Sequence, residues 1–257
     1  MTGFDWSLLA APLCAGLLVC ITHIPLGRRV LERGIIFLDL TVAQVAALGV
    51  TMEMLWNHGP GHEHADWHAQ LSATAGALAA ALLLAWTERR WPQIQEALIG
   101  SLYVLSACVM LLLLANAAHG HEQLNQLLAG QILWVTFDDL LAPLMITLAV
   151  LAAMALGVVR NIWGFYVLFA VSVTVSVQLV GIFLVFATLI LPALAVVKRP
   201  TLPAFAIAGV VGIAGYTLGL ACSALFDLPS GPLVVLTLAG MSVTAAAISM
   251  LICNVIK

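Results

Sequence analysis

Long apolar runs separated by short polar islands dominate the chain. Breaking it at the islands leaves nine apolar segments, near 6–26, 34–56, 70–87, 94–117, 139–159, 162–179, 181–197, 203–225 and 232–254. Most approach the roughly 20 residues that an α-helix needs to cross about 30 Å of hydrocarbon. Transmembrane strands would alternate in polarity over about 10 residues, whereas here both faces of each segment are apolar and Ala, Leu and Gly prevail. The pattern predicts an all-α integral membrane protein of about nine transmembrane helices (eight to nine), forming one polytopic domain over 1–257. The stretch 162–197 is too long for one helix, and the break is expected at LVG, after Gln178.

Composition agrees: 63% of residues are hydrophobic and 8% charged. The charges also orient the spans. Arg28, Arg29 and Arg33 follow the first segment, Arg89 and Arg90 the third, Arg160 the fifth, Lys198 and Arg199 the seventh, and Lys257 the ninth. All therefore fall on one side, which the positive-inside rule makes the cytoplasm, with the N-terminus outside. The first segment lacks a basic leader and is expected to remain as a span rather than act as a cleaved signal. No internal repeat is evident. Five scattered cysteines, Cys14, Cys20, Cys108, Cys222 and Cys253, lie in apolar runs without a CxxC pair and are expected to pack as small hydrophobes.

Six of the seven histidines fall on the outer side, and only His23 departs, read as a packing or interfacial residue. The loop HGPGHEHADWH carries His58, His62, Glu63, His64, Asp66 and His68, and His119, His121 and Glu122 follow further on. Imidazole with carboxylate suits Zn²⁺, whereas manganese and iron favour more oxygen ligands, so the loop is a candidate metal-capture site; the plain alternative is a solvated loop. Neither HEHAD nor HEQLN completes HExxH, and GxSxG and phosphate-binding motifs are absent, so no enzyme is indicated. The polar stretch 121–138 is expected to lie at the outer interface or to re-enter the protein. Within the spans, Asp39 is the clearest charged group, and Asp39, Gln44 and Gln178 are candidates for a translocation path. At 100° per residue Asp39 and Gln44 stand about 140° apart on their helix. Alternatively, Asp39 anchors the helix by pairing with Arg33 or Arg29, and the glutamines are interhelical hydrogen-bond groups.

Five stretches, in order, resemble the membrane subunit of the metal-cation ABC importers: IPLGRRVLERGIIFLDLTVAQVAALG, EALIGSLYVLSACVML, HEQLNQLLAGQILWVTFDDL, VQLVGIFLVFATLILPALAV and SALFDLPSGPLVVL. The resemblance implies import of zinc, or else manganese or iron, as cargo with no resident cofactor. It also implies a separate ATPase subunit, an extracytoplasmic metal-binding protein, a homodimer of permeases, a bacterial inner-membrane location and no nucleic-acid partner. The family pairs an aspartate in its second helix with a histidine one turn later; here Asp39 matches, but Gln44 stands in place of the histidine, one residue further on. The family's cytoplasmic segment between the fifth and sixth spans, which docks on the ATPase, shrinks here to VVRNIWG, a turn at Arg160 and Asn161. Docking is then expected at Arg89, Arg90, Trp91 and Gln93 and at Lys198 and Arg199. The alternative is a membrane-embedded metal-binding accessory or sensor without an ATPase.

Overall fold

A computed structural model describes residues 9–56, 65–114, 132–197, 201–226 and 228–255. Among these residues there are nine α-helices and no strand: α1 Ala10–Arg33, α2 Leu38–Trp56, α3 Ala65–Arg90, α4 Gln95–Leu114, α5 Leu141–Ala155, α6 Ile162–Val180, α7 Ile182–Ala195, α8 Thr201–Phe226 and α9 Ser230–Val255. They fall one for one on the nine apolar segments. Seven are long and apolar enough to cross a membrane. Of the other two, α7 has 14 residues and reaches only about 21 Å.

The largest correction to the expected boundaries is at the first span. Rather than stopping near residue 26, α1 runs to Arg33 and takes all three arginines into its last turns. Pro25 is accommodated inside the helix, and the cations lie at its negative end, where the dipole favours them. A short turn over 34–37 follows, so α2 begins only at Leu38 and Asp39 is its second residue rather than one turn in. The break in the 162–197 stretch falls close to where the pattern put it. Gly181 adopts φ 85°, ψ 162°, a region that a side chain disfavours, and α6 and α7 separate there.

Two groups of helices form the bundle. In one, α2 packs against α3, α4 and α6; in the other, α1 packs against α7 and α8, and α9 against α8 and α7. Contacts of α6 with α1 and of α7 with α2 join the groups, while α5 touches chiefly α6 and α1 and leaves most of its surface outward. Water drives little of this association inside a bilayer, so close approach of small residues matters more. Ala73, Ala77, Ala80, Ala81 and Ala85 of α3 are all buried. On α1, a Cβ at Gly27 would overlap the carbonyl oxygen of Leu189, so α1 and α7 touch backbone to backbone. Cys20 is buried against Gly212 of α8, whereas Cys14 and Cys108 are exposed on their helices; the four described cysteines are free thiols.

Candidate functional site

The ends of the helices that carry the arginines meet in one polar network. Arg33 pairs with Glu88 of α3 at 3.3 Å, and its guanidinium lies 4.3 Å from the Phe165 ring centroid on α6. The Tyr166 hydroxyl accepts from Gln95 Nε2 at 3.0 Å. Gln95 also donates to the Leu84 carbonyl at 2.9 Å and accepts from Thr87 at 3.0 Å. Arg29 donates to the Val159 carbonyl in the α5–α6 connection at 3.4 Å. These contacts bring together the ends that the alternating threading assigns to one side, and they tie α1, α3, α4 and α6 there. The sequence showed Glu88 and Gln95 only as part of a polar run, because their partners lie 55 and 71 residues away.

Asp39 stands just inside this network. The start of α2 is held by α4: Phe37 N–H donates to Glu96 Oε1 at 3.4 Å, and Thr41 Oγ1 donates to the carbonyls of Phe37 and Ile99 at 3.0 Å. A neighbouring carboxylate thus serves one of the N–H groups that a helix start leaves without an intrahelical partner. Asp39 is only 1% exposed and its Oδ1 has no hydrogen-bond partner. The anchor reading is therefore corrected: Arg33 is engaged by Glu88 and Arg29 by Val159. The positive end of the α2 dipole offsets part of the cost of a carboxylate here.

The three path candidates do not converge. Gln44 is buried, but its Nε2 lies 3.4 Å from Met110 Sδ on α4, the same neighbour that Thr41 meets. Gln178 is exposed near the outer end of α6 and lines a cavity of about 660 Å³ with Trp67, Gln70, Trp134 and Asp139. One candidate thus lies at the inner end, one between α2 and α4, and one at the outer mouth. Among the described residues, no three His, Cys, Asp or Glu side chains assemble into a metal cage.

The family model of the ABC 3 transport family matches residues 5–163 and 152–249. The chain belongs to the ABC 3 transport family. Its two matched stretches overlap over 152–163, across the α5–α6 connection. Among solved structures, this ABC 3 family chain is similar to PsaBC from Streptococcus pneumoniae in complex with Fab. The TM-score is 0.71 at 18% identity, over 94% of this chain and 91% of that one. It is also similar to a metal-chelate type ABC transporter in an inward-facing conformation, with a TM-score of 0.61 at 16% identity, over 92% and 85% of the two chains. At these identities the likeness is one of fold, that of a multi-pass ABC membrane subunit.

On the outer side of the ABC 3 chain, His68 is exposed, with its ring 3.6 Å from that of Trp67 between centroids. Asp66 lies in the first turn of α3, without a described side chain. His58, His62, Glu63, His64, His119, His121 and Glu122 lie outside the described residues. Of the 121–138 stretch, the described part holds a short 3-10 turn at Ile132–Trp134, with Trp134 exposed and Ile132 buried. On the inner side, Arg89, Arg90, Trp91 and Gln93 are all exposed at the α3–α4 turn, while Lys198 and Arg199 lie outside the described residues.

Proposed function

We propose that this chain is the membrane-spanning subunit of an importer for a divalent metal cation, zinc foremost, driven by a separate ATPase in the bacterial inner membrane. The observation that carries the reading is Asp39: a carboxylate 1% exposed, with an unpartnered oxygen, in a chain of the ABC 3 transport family. An unpaired buried polar group costs about 1–3 kcal/mol, more when charged, and a cation in transit is a natural partner for it. The kinship in fold with a metal-chelate type transporter and the outer histidines and carboxylates support a metal as cargo. The outer loop captures zinc from an extracytoplasmic binding protein, Asp39 handles it near the inner side, and two permease copies enclose the path. The exposed Arg89, Arg90, Trp91 and Gln93, with Lys198 and Arg199, receive the ATPase.

The scattered placement of Asp39, Gln44 and Gln178 suits transport, because a preformed cage would hold a cation too tightly to release it. The test is uptake of ⁶⁵Zn into vesicles containing the chain and its ATPase. Asp39→Ala is expected to abolish ATP-dependent uptake, while a variant lacking His58, His62, His64 and His68 only lowers it at scarce zinc. Uptake that survives Asp39→Ala unchanged sinks the intramembrane site. The second reading, a metal-binding accessory or sensor, is favoured by the short α5–α6 connection, where only Val158–Arg160 forms a turn. Purification from native membranes without any ATPase, together with absent uptake, would establish it in place of the importer.

A further inference from the structure

A second polar atom is orphaned inside the bundle, on α1. His23 is fully buried and its Nε2 has no hydrogen-bond partner. It precedes Arg28 by five residues and Arg33 by ten, about 7.5 and 15 Å along the helix axis, which sets it farther from the arginine-bearing ends than Asp39, the second residue of α2. Its neighbours on the same face show where it points. Gly27, one turn later, meets Leu189 of α7, and Cys20, one turn earlier, meets Gly212 of α8, so the ring lies where α1 adjoins both helices.

The other ring nitrogen is committed. Nδ1 lies 3.1 Å from the Val19 carbonyl oxygen, which only accepts, and 3.0 Å from Thr22 Oγ1. Thr22 Oγ1 itself donates to the same carbonyl at 3.2 Å. The network assigns the proton to Nδ1, leaving a lone pair on Nε2. An imidazole that donates one N–H to a backbone carbonyl and presents the other nitrogen bare has the arrangement of a metal-ligating histidine, with tautomer and ring orientation fixed by the second contact. A packing histidine gains nothing from a bare nitrogen in an apolar interior, where the missing bond is a cost.

We propose that His23 is an intramembrane ligand for the transported cation, binding through Nε2 at a point deeper than Asp39. The inference rests on the importer reading and adds to it a nitrogen ligand on α1. Gln44 offers only an amide in α2, a weaker ligand for zinc than imidazole. One imidazole and one carboxylate at different depths let the cation pass from ligand to ligand, and the nitrogen favours zinc over manganese.

The test uses the single-imidazole chain. Replacing His58, His62, His64, His68, His119 and His121 with Asn leaves His23 as the one histidine of the seven. The full chain carrying ¹⁵N-labelled histidine, reconstituted in lipid nanodiscs, is titrated with ZnCl₂. The Nε2 resonance is expected to move to the position of a metal-bound nitrogen, and an unmoved resonance at saturating zinc overturns the proposal. In parallel, H23N supplies an amide N–H to Val19 in place of Nδ1 and removes the Nε2 lone pair. Its KM for ⁶⁵Zn uptake is expected to rise on the order of tenfold or more. A wild-type KM in folded H23N overturns the proposal, and if H23N does not fold, the resonance of the unaltered His23 decides. Failure of the otherwise unaltered chain to take up zinc would count against the importer reading, whereas the nitrogen resonance reports on His23 alone.

Discussion

Gly27 offers a sharp test of how α1 and α7 are packed. Replacing a helix-interior glycine with alanine ordinarily helps by roughly 0.5–1 kcal/mol, because the glycine chain has more backbone freedom to lose. Gly209 and Gly240 have open space where a Cβ would go and are expected to follow that rule when changed to Ala. At Gly27 the new methyl would overlap the Leu189 carbonyl, a backbone atom that cannot rotate aside. The two helices must separate, and overpacking of this kind costs about 1–3 kcal/mol against the propensity gain. A net loss near 1 kcal/mol corresponds to a fall in apparent Tm of about 2–4 °C for a chain of this size. Thermal unfolding of the three purified variants in one detergent measures it. A Gly27→Ala protein as stable as the unaltered chain, or one no worse than Gly209→Ala, would refute backbone contact between α1 and α7.

Three polar contacts between helices carry further expectations. Gln95→Leu leaves the Tyr166 hydroxyl without its 3.0 Å donor, whereas Thr87 and the Leu84 carbonyl keep the 3.0 Å bond between them, and a loss of about 1–3 kcal/mol should appear in the same unfolding measurement. Tyr216→Phe removes a 2.8 Å bond to Thr188 that links α7 and α8, yet Thr188 keeps its 2.7 Å bond to the Leu184 carbonyl; the expected loss is only about 1 kcal/mol. The Arg33–Glu88 pair is about one-fifth exposed, so a double-mutant cycle with Arg33→Gln and Glu88→Gln should give a coupling near 1 kcal/mol, smaller in high salt. A coupling several times larger would mean that the pair is shielded from water far more than its exposure indicates.

The number and order of the helices were legible because a membrane imposes one length scale, and polar islands interrupt the apolar runs at that spacing. The ends were less legible for the same reason: hydropathy marks where the chain leaves lipid, not where the helix stops. Arg28 to Arg33 are polar and still helical, and α3 likewise runs on to Arg90. Asp39 stood out as a charge within an apolar run, but nothing local distinguished a carboxylate paired with Arg33 from one left open. That depended on Glu88, which only the folded bundle brings to Arg33. His23 is the converse case. Its environment along the chain is apolar, as for a packing residue, and the bare nitrogen becomes visible only when the helices around it are in place.

The shortness of α7 has an electrical consequence. Its roughly 21 Å falls short of the hydrocarbon thickness, and the cavity beside Gln178 opens on the outer side near the Gly181 break from which α7 starts. Where water reaches down into that cavity, little of the transmembrane voltage is dropped. The voltage is concentrated across the thinner dry layer between the cavity and the inner side. A doubly charged ion crossing only that layer would feel most of the membrane potential over a reduced distance, and a negative interior would draw it inward.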